Sequence, residues 1–232
     1  MKKFNSFTLK IIAMITMLLD HVYTYIGQSG IDVPIWFGYL GKIAAPIFFY
    51  LIVEGFFHTK SKVKYLSRLA SFGVVMIGID KIIGIHNNIF LSLTLSVIML
   101  MVIDYAKKSK KSYIYIIATL AVVAIGAAYM FTEASMFGLG MTLIFYFFRD
   151  KKIIMAIVYG LFSLMPVFTC IGIPDAYQQL FLFDYQWMMV FALPLILMYN
   201  GKLGLKNKIT KWMFYIFYPA HLIALALIGR LL

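Results

Sequence analysis

The chain contains one cysteine, Cys170, among 232 residues. No intramolecular disulfide can form. With no His or Asn near it in sequence, the thiol reads as a small packing residue and not as a nucleophile. Charge is scarce as well: Asp, Glu, Lys and Arg together make up 13 %, against 63 % hydrophobic residues. Those fractions exclude an ordinary soluble globular domain and place the chain in the membrane class. Acidic residues are the rarest, 9 against 21 basic ones, for a net charge of +12. Nucleic acid is not the expected partner, because the basic residues sit in short clusters between apolar runs and not on one continuous face. Such clusters set topology and attract anionic lipid or an anionic ligand. There is no internal repeat, no low-complexity segment, and no loop long enough to house a soluble domain. Signature motifs are missing too. No Gly-rich turn with a phosphate-loop Lys-Ser/Thr appears, and no G-x-S-x-G elbow. No second ligand pair has zinc spacing, so no metal is expected.

Long apolar runs dominate what is present. A membrane-spanning helix needs about 20 mostly apolar residues. That length predicts about nine helical spans, near 8–27, 35–57, 66–84, 89–105, 112–131, 134–149, 152–171, 186–200 and 211–231. The expected fold is all-α, a polytopic transmembrane helix bundle forming a single integral-membrane domain over 1–232. Lys and Arg cluster at the N-terminus and in alternate loops, around 60–68, 107–111, 149–152 and 202–211; only Lys42, Lys81 and Arg230 fall elsewhere. The alternation follows the positive-inside rule and predicts a cytoplasmic N-terminus and an external C-terminus. The 21 Phe and 16 Tyr include residues suited to interfacial belts. Met1-Lys2-Lys3 and the run after them look like a secretory signal. Asp20-His21 interrupts that run and no small-x-small site follows, so an uncleaved first span is expected. The loops 28–34 and 172–184 lack Lys and Arg. The longer one either admits a substrate from outside or is a plain connector.

The dipeptide Asp20-His21 lies inside the first apolar run. An Asp at such a position costs at least about 2.5 kcal/mol, and intramembrane ionisable residues mark functional sites by default. The alternative is that the pair only hydrogen-bonds a neighbouring helix. At 1.5 Å per residue His21 is about 20 Å from the start of its helix, past the midplane. Thr24 shares a broad face with the pair. Lys42, at a comparable depth on the second span, is a candidate partner for Asp20. Glu54 and His58 are spaced i,i+4 and so face one way near the cytoplasmic end. Arg68 lies at the same level, with Lys60, Lys62 and Lys64 between. This set is either a site or a helix-locking salt bridge. In the last span Pro219 removes a backbone donor. His221 beside it either packs or meets His21, with Tyr215 and Tyr218 within a turn. Gly138-Leu139-Gly140 reads as a packing notch.

Three blocks resemble the TraX family of membrane proteins. The first runs from Leu9-Lys10-Ile11-Ile12-Ala13-Met14 to Met17-Leu18-Leu19-Asp20-His21. The second includes Ile43-Ala44-Ala45-Pro46-Ile47-Phe48, Leu51-Ile52-Val53-Glu54-Gly55-Phe56, His58-Thr59, Lys64-Tyr65-Leu66 and Arg68-Leu69. The third is Tyr199-Asn200-Gly201 with Phe214-Tyr215-Ile216-Phe217-Tyr218-Pro219-Ala220-His221-Leu222. One departure is Lys42, where the family often has Arg. The charge is kept and the planar two-pronged geometry is not.

The resemblance implies a multi-pass protein of the bacterial inner membrane, in contact with lipid. Named members acetylate the N-terminus of a conjugative pilin, and related acyltransferases take acetyl groups from cytoplasmic acetyl-CoA. The expected activity is transfer from acetyl-CoA to an acceptor amine or hydroxyl, on a peptide N-terminus or an envelope glycan. His21 is the expected general base, and Asp20 supports the polar site around it. Arg68 and Lys60, Lys62 and Lys64 would meet the donor's phosphates, with Glu54 and His58 ordering that mouth. Lys42, Tyr218 and His221 would bind or position substrate. Direct transfer and an acetyl-histidine intermediate both remain open. The rival reading is a proton-coupled transporter or flippase, weakened by the lack of a visible inverted repeat of broken helices.

Overall fold

A computed structural model describes residues 3–232; Met1 and Lys2, part of the expected basic N-terminal cluster, lie outside the described residues. The chain is helical throughout, and among the described residues the β-type pairing is a single bridge from Phe4 to Tyr199. It forms two compact units, Met1–Phe48 with Phe148–Leu232, and Phe49–Phe147.

The first unit begins with α1, Ser6–Gly27. Asn5 is extended and its side chain accepts from the Thr8 amide, which caps the helix. Leu9, Ala13, Met17 and His21 recur every four residues and are buried, so they form one stripe. The chain turns through α2, Trp36–Gly41, and enters α3, Ala44–His58, whose start belongs to this unit. Next come α8, Lys152–Ser163, and the short α9, Met165–Thr169. A bent segment follows: α10, Ala176–Gln178, a π turn at Gln179–Phe183, a 3₁₀ turn at Gln186–Phe191, and α11, Ala192–Leu197. The unit ends with α12, Lys208–Leu231, opened by a capping box between Asn207 and Thr210.

Helix α1 packs against α2 and α12. Gly229 lets α12 approach closely, since a Cβ there would lie 2.8 Å from the Tyr25 carbonyl oxygen. The residues before and at the start of α1 run beside the segment leading into α12. The Lys3 and Phe4 amides donate to Met198 O, Asn200 N donates to Phe4 O, and Ser6 N and Phe7 N donate to the carbonyls of Lys202 and Leu203. Both helices therefore start at the same end and run in parallel.

The second unit holds the rest of α3 and α4, Lys62–Ile83; α5, Ile89–Lys108; α6, Ser112–Tyr129; and α7, Ser135–Phe147. Ser61 caps α4, and Gly84 ends it at φ 72°, where a side chain would be strained. Helix α5 is central, in contact with α4, α6 and α7. Its buried Phe90, Leu93, Val97 and Leu100 are fully covered. Ser96 Oγ lies 2.5 Å from Tyr129 Oη and 2.9 Å from Thr142 Oγ1, which ties three helices through buried hydroxyls. A Cβ at Gly138 would meet Ala134 Cβ at 2.6 Å and Phe49 at 2.8 Å, so this glycine is a packing notch.

All nine predicted segments contain helix. Five are long and apolar enough to cross a membrane: Ser6–Gly27, Trp36–His58, Ile89–Lys108, Ser112–Tyr129 and Lys208–Leu231. Ala176–Phe183 and Gln186–Leu197, bent by 60°, make a sixth if counted together. Helix α4 is long, but Lys62, Lys64, Arg68, Asp80 and Lys81 lower its mean hydropathy. Helices α7 and α8, with 13 and 12 residues, extend only about 20 Å and 18 Å, short of a hydrocarbon core of about 30 Å.

Candidate active site

His21 on α1 and His221 on α12 meet in the first unit, 200 residues apart in sequence. His21 Nδ1 is 2.7 Å from His221 Nε2, and both residues are buried, at 3 % and 7 % exposure. The His221 Nδ1 faces the Phe217 carbonyl oxygen at 2.7 Å, within its own helix. These contacts assign the tautomers. A carbonyl oxygen only accepts, so His221 Nδ1 carries the proton that donates to it. In a neutral ring His221 Nε2 then holds a lone pair, and His21 Nδ1–H donates to it. The lone pair of neutral His21 is thereby placed on Nε2.

Aromatic rings frame the pair. Phe217 stacks on His221 with centroids 4.6 Å apart. Tyr218 and Tyr25 present T-shaped contacts to His21 at 6.2 Å and 6.3 Å. Tyr218 also lies 5.8 Å from His221. Its location beside both histidines comes from the four-residue and three-residue spacings of α12, which bury Phe214, Tyr218, His221, Leu222 and Leu225 together.

Asp20 points elsewhere. Its Oδ1 accepts from Lys42 Nζ at 3.3 Å, with each side chain about a quarter exposed. Adjacent helical residues diverge by about 100°, so Asp20 serves Lys42 while His21 serves α12. Thr24 donates its hydroxyl to the Asp20 backbone carbonyl at 2.9 Å, within its own helix. Gly41 permits the Asp20 contact, since a Cβ there would collide with the Asp20 side chain. Lys42 Nζ lies over the Tyr185 ring, 5.2 Å from its centroid. Tyr185 in turn fits against Gly38 and meets Tyr39 and Tyr23 edge-on at 5.2 Å and 6.5 Å. Tyr39 Oη donates to Phe181 O at 2.6 Å, fixing the bent segment to α2.

The remaining predicted residues lie in the second unit. His58 Nδ1 is 2.8 Å from the Glu54 backbone oxygen, and the Glu54 carboxylate is 3.9 Å away. Glu54 is buried and the His58 side chain is nearly half exposed. Lys62 is tied to Asp104 at 2.6 Å and lies over the Phe56 ring at 4.1 Å. Lys108 meets the same Asp104 oxygen at 2.8 Å. Lys62 thus serves a carboxylate on α5, a role that its loop position in sequence did not show. Arg68 lies over Tyr65, with its buried Nε unpaired. No ion pair joins Arg68 to Glu54 among the described residues. Nor, among those residues, do any three of His, Cys, Asp and Glu form a metal-binding group.

Sequence reasoning passed over Tyr25, Phe217, Tyr185 and Asp104. The spacing of Gly38 and Gly41, three apart on one helix face, was the available signal that something large approaches α2 there.

A family model described as "TraX protein" matches residues 6–229. The chain belongs to the TraX family. The TraX match extends through both units and takes in every residue of the site described above. A curated relative, the probable fimbrial assembly protein FimC of serogroup H1 from Dichelobacter nodosus, is 26 % identical and covers 94 % of this chain and 93 % of its own. No solved structure matches this TraX chain.

Proposed function

We propose that the protein is a membrane-embedded acyltransferase that moves an acetyl group from cytoplasmic acetyl-CoA to an acceptor amine or hydroxyl, with His21 Nε2 as general base. The single observation that carries this reading is the ordered chain from Phe217 O through His221 to His21, which leaves a lone pair on Nε2 of a buried residue. Membership of TraX, a family linked to pilin assembly and acetylation, supports the reading. So does the likeness to a probable fimbrial assembly protein. The acceptor class is a peptide N-terminus or an envelope glycan.

The acceptor nitrogen or oxygen attacks the thioester carbonyl while His21 Nε2 takes its proton. The carbon–sulfur bond then breaks, the thiolate leaves, and the proton held at Nε2 passes to it. His221 keeps His21 in the correct tautomer and stabilises the imidazolium formed in between. Tyr218, edge-on to both rings, limits water and positions the acceptor. Lys42 and Asp20 hold α2 against α1 beside this centre.

The proposed setting is a bacterial inner membrane, with a cytoplasmic N-terminus and up to nine crossings. Parallel α1 and α12 support an odd number of crossings, because two parallel spans enter from one side. Membranes containing the protein should transfer labelled acetyl from acetyl-CoA to envelope material. His21→Ala should lower transfer by about 10²–10⁴-fold, the usual range for general base catalysis, with insertion unchanged. Normal transfer by His21→Ala would sink the assignment. The buried histidine pair also suits a proton relay in a transporter. Proton-driven solute uptake by vesicles, without label transfer, would favour that reading.

A further inference from the structure

A second feature of the first unit lies where α1 and α12 begin. A cavity of about 430 Å³ opens there, lined by the first turn of α1, by 203–208, and by the first turn of α12. The volume falls in the range of small-molecule sites, roughly 300–1,000 Å³. Lys10, Lys206, Lys208 and Lys211 line it, and no Asp or Glu does. Among the described residues, Lys206, Lys208 and Lys211 have no carboxylate partner, and Lys211 lies over the Trp212 ring at 5.2 Å, a contact that leaves its charge in place. Three cations without counter-ions around one concavity repel each other, and an anion relieves that repulsion. The amino end of α12 adds the positive end of a helix dipole. The start of α1 adds little, because its Ser6 and Phe7 amides already donate to Lys202 and Leu203.

The cavity is linked to the histidine pair by the two helices that carry it. Lys10 and His21 are eleven residues apart on α1, and Lys211 and His221 are ten apart on α12. At 1.5 Å per residue these separations are roughly 16 Å and 15 Å. A ligand with phosphates at one end and a reactive acyl group at the end of a long arm has this layout. We propose that the lysine-lined cavity binds the phosphate groups of the acyl donor, a nucleotide-class polyanion, and that the donor's arm runs along α1 and α12 to His21. This deepens the acyltransferase reading and rests on it. It also moves the phosphate site away from Lys62 and Arg68, since Lys62 already pairs with Asp104.

The test is coenzyme A and ADP binding to the purified full chain in phosphatidylcholine nanodiscs. Replacing Lys206, Lys208 and Lys211 together by Gln should weaken both ligands about tenfold or more, and added salt should weaken wild-type binding by screening. The matched triple variant at Lys110, Lys111 and Lys151, which loses the same charge outside the cavity lining, should bind within about twofold of wild type, as expected for exposed charges screened by salt. Replacing the same three lysines by Arg instead should keep binding. Equal binding by wild type and the cavity variant, or loss with Arg68→Ala instead, would overturn the cavity assignment while leaving labelled acetyl transfer intact. Lysine-dependent retention of phosphatidylglycerol in place of either nucleotide would overturn it in favour of a lipid headgroup. Lysine-dependent coenzyme A binding without any acetyl transfer would support the site while ending the transfer reading.

Discussion

The two units each bury a polar cluster, and the clusters end differently. In Phe49–Phe147, Ser96, Tyr129 and Thr142 are all fully buried and bond to one another. Ser96 and Thr142 also reach the carbonyls of Ser92 and Gly138. That network closes on itself. The cluster formed by α1 and α12 runs in one direction, from the Phe217 carbonyl through His221 to His21, and ends on a nitrogen with a lone pair. Hydroxyls that satisfy each other hold helices together. An imidazole chain with one open end has something left to do chemistry with. Burial of polar groups is common to both, so burial alone does not separate structure from function.

The largest effect that would sharpen this comparison is expected from His221. His221→Ala should lower acetyl transfer by about ten- to hundredfold, because His21 loses the acceptor that fixes its tautomer; loss of such orienting partners commonly has this size. His221→Gln offers a carbonyl oxygen to the same Nδ1–H and should recover part of the loss. Equal damage by both variants would show that His221 does more than position His21. A smaller effect is expected in the other unit. Thr142→Val should destabilise the folded protein by about 1–3 kcal/mol, since Ser96 and Tyr129 lose a buried partner. Thermal unfolding in detergent reads that cost, and transfer by the folded protein should not change. Lost transfer with an unchanged midpoint would break the comparison. The smallest effect is expected at Asp20 and Lys42. A double-mutant cycle with Asp20→Asn and Lys42→Met should give a coupling below about 1 kcal/mol, as for ion pairs whose side chains stay partly exposed. A coupling several times larger would place this pair among the tightly enclosed groups.

Much of this was legible locally. Apolar run length located the long helices but left Ala176–Phe183, which is helical, inside a predicted loop; the i,i+4 spacing of Glu54 and His58 put both on one face of α3. Counting depth along α1 and the second span brought Asp20 level with Lys42, and the two do meet. Run length failed where apolar and charged residues mix: α4 is a full-length helix with too many charges for a clear span. It also gave 152–171 a full-length span where α8 stops at Ser163. The site was less legible because its closing contacts are distant in sequence. His21 and His221 could each be singled out, but their meeting depends on how α1 and α12 align. Lys62 shows the same limit, since Asp104 is 42 residues away and only the packing of α4 on α5 joins them.

The pairing of residues 3–7 with 198–203 sets an order for the protein's birth. The ribosome delivers α1 first and α12 last, so His21 enters the bilayer long before its partner exists. Through almost the whole of synthesis the first helix carries an imidazole without its final neighbour, while Asp20 gains Lys42 only 22 residues later. The backbone pairing at Phe4 and Tyr199 can form only once nearly all other helices have been made. Its closing brings α12 alongside α1 and so places His221 beside His21. A chain that stops short of α12 therefore lacks the histidine contact on which the proposed base depends.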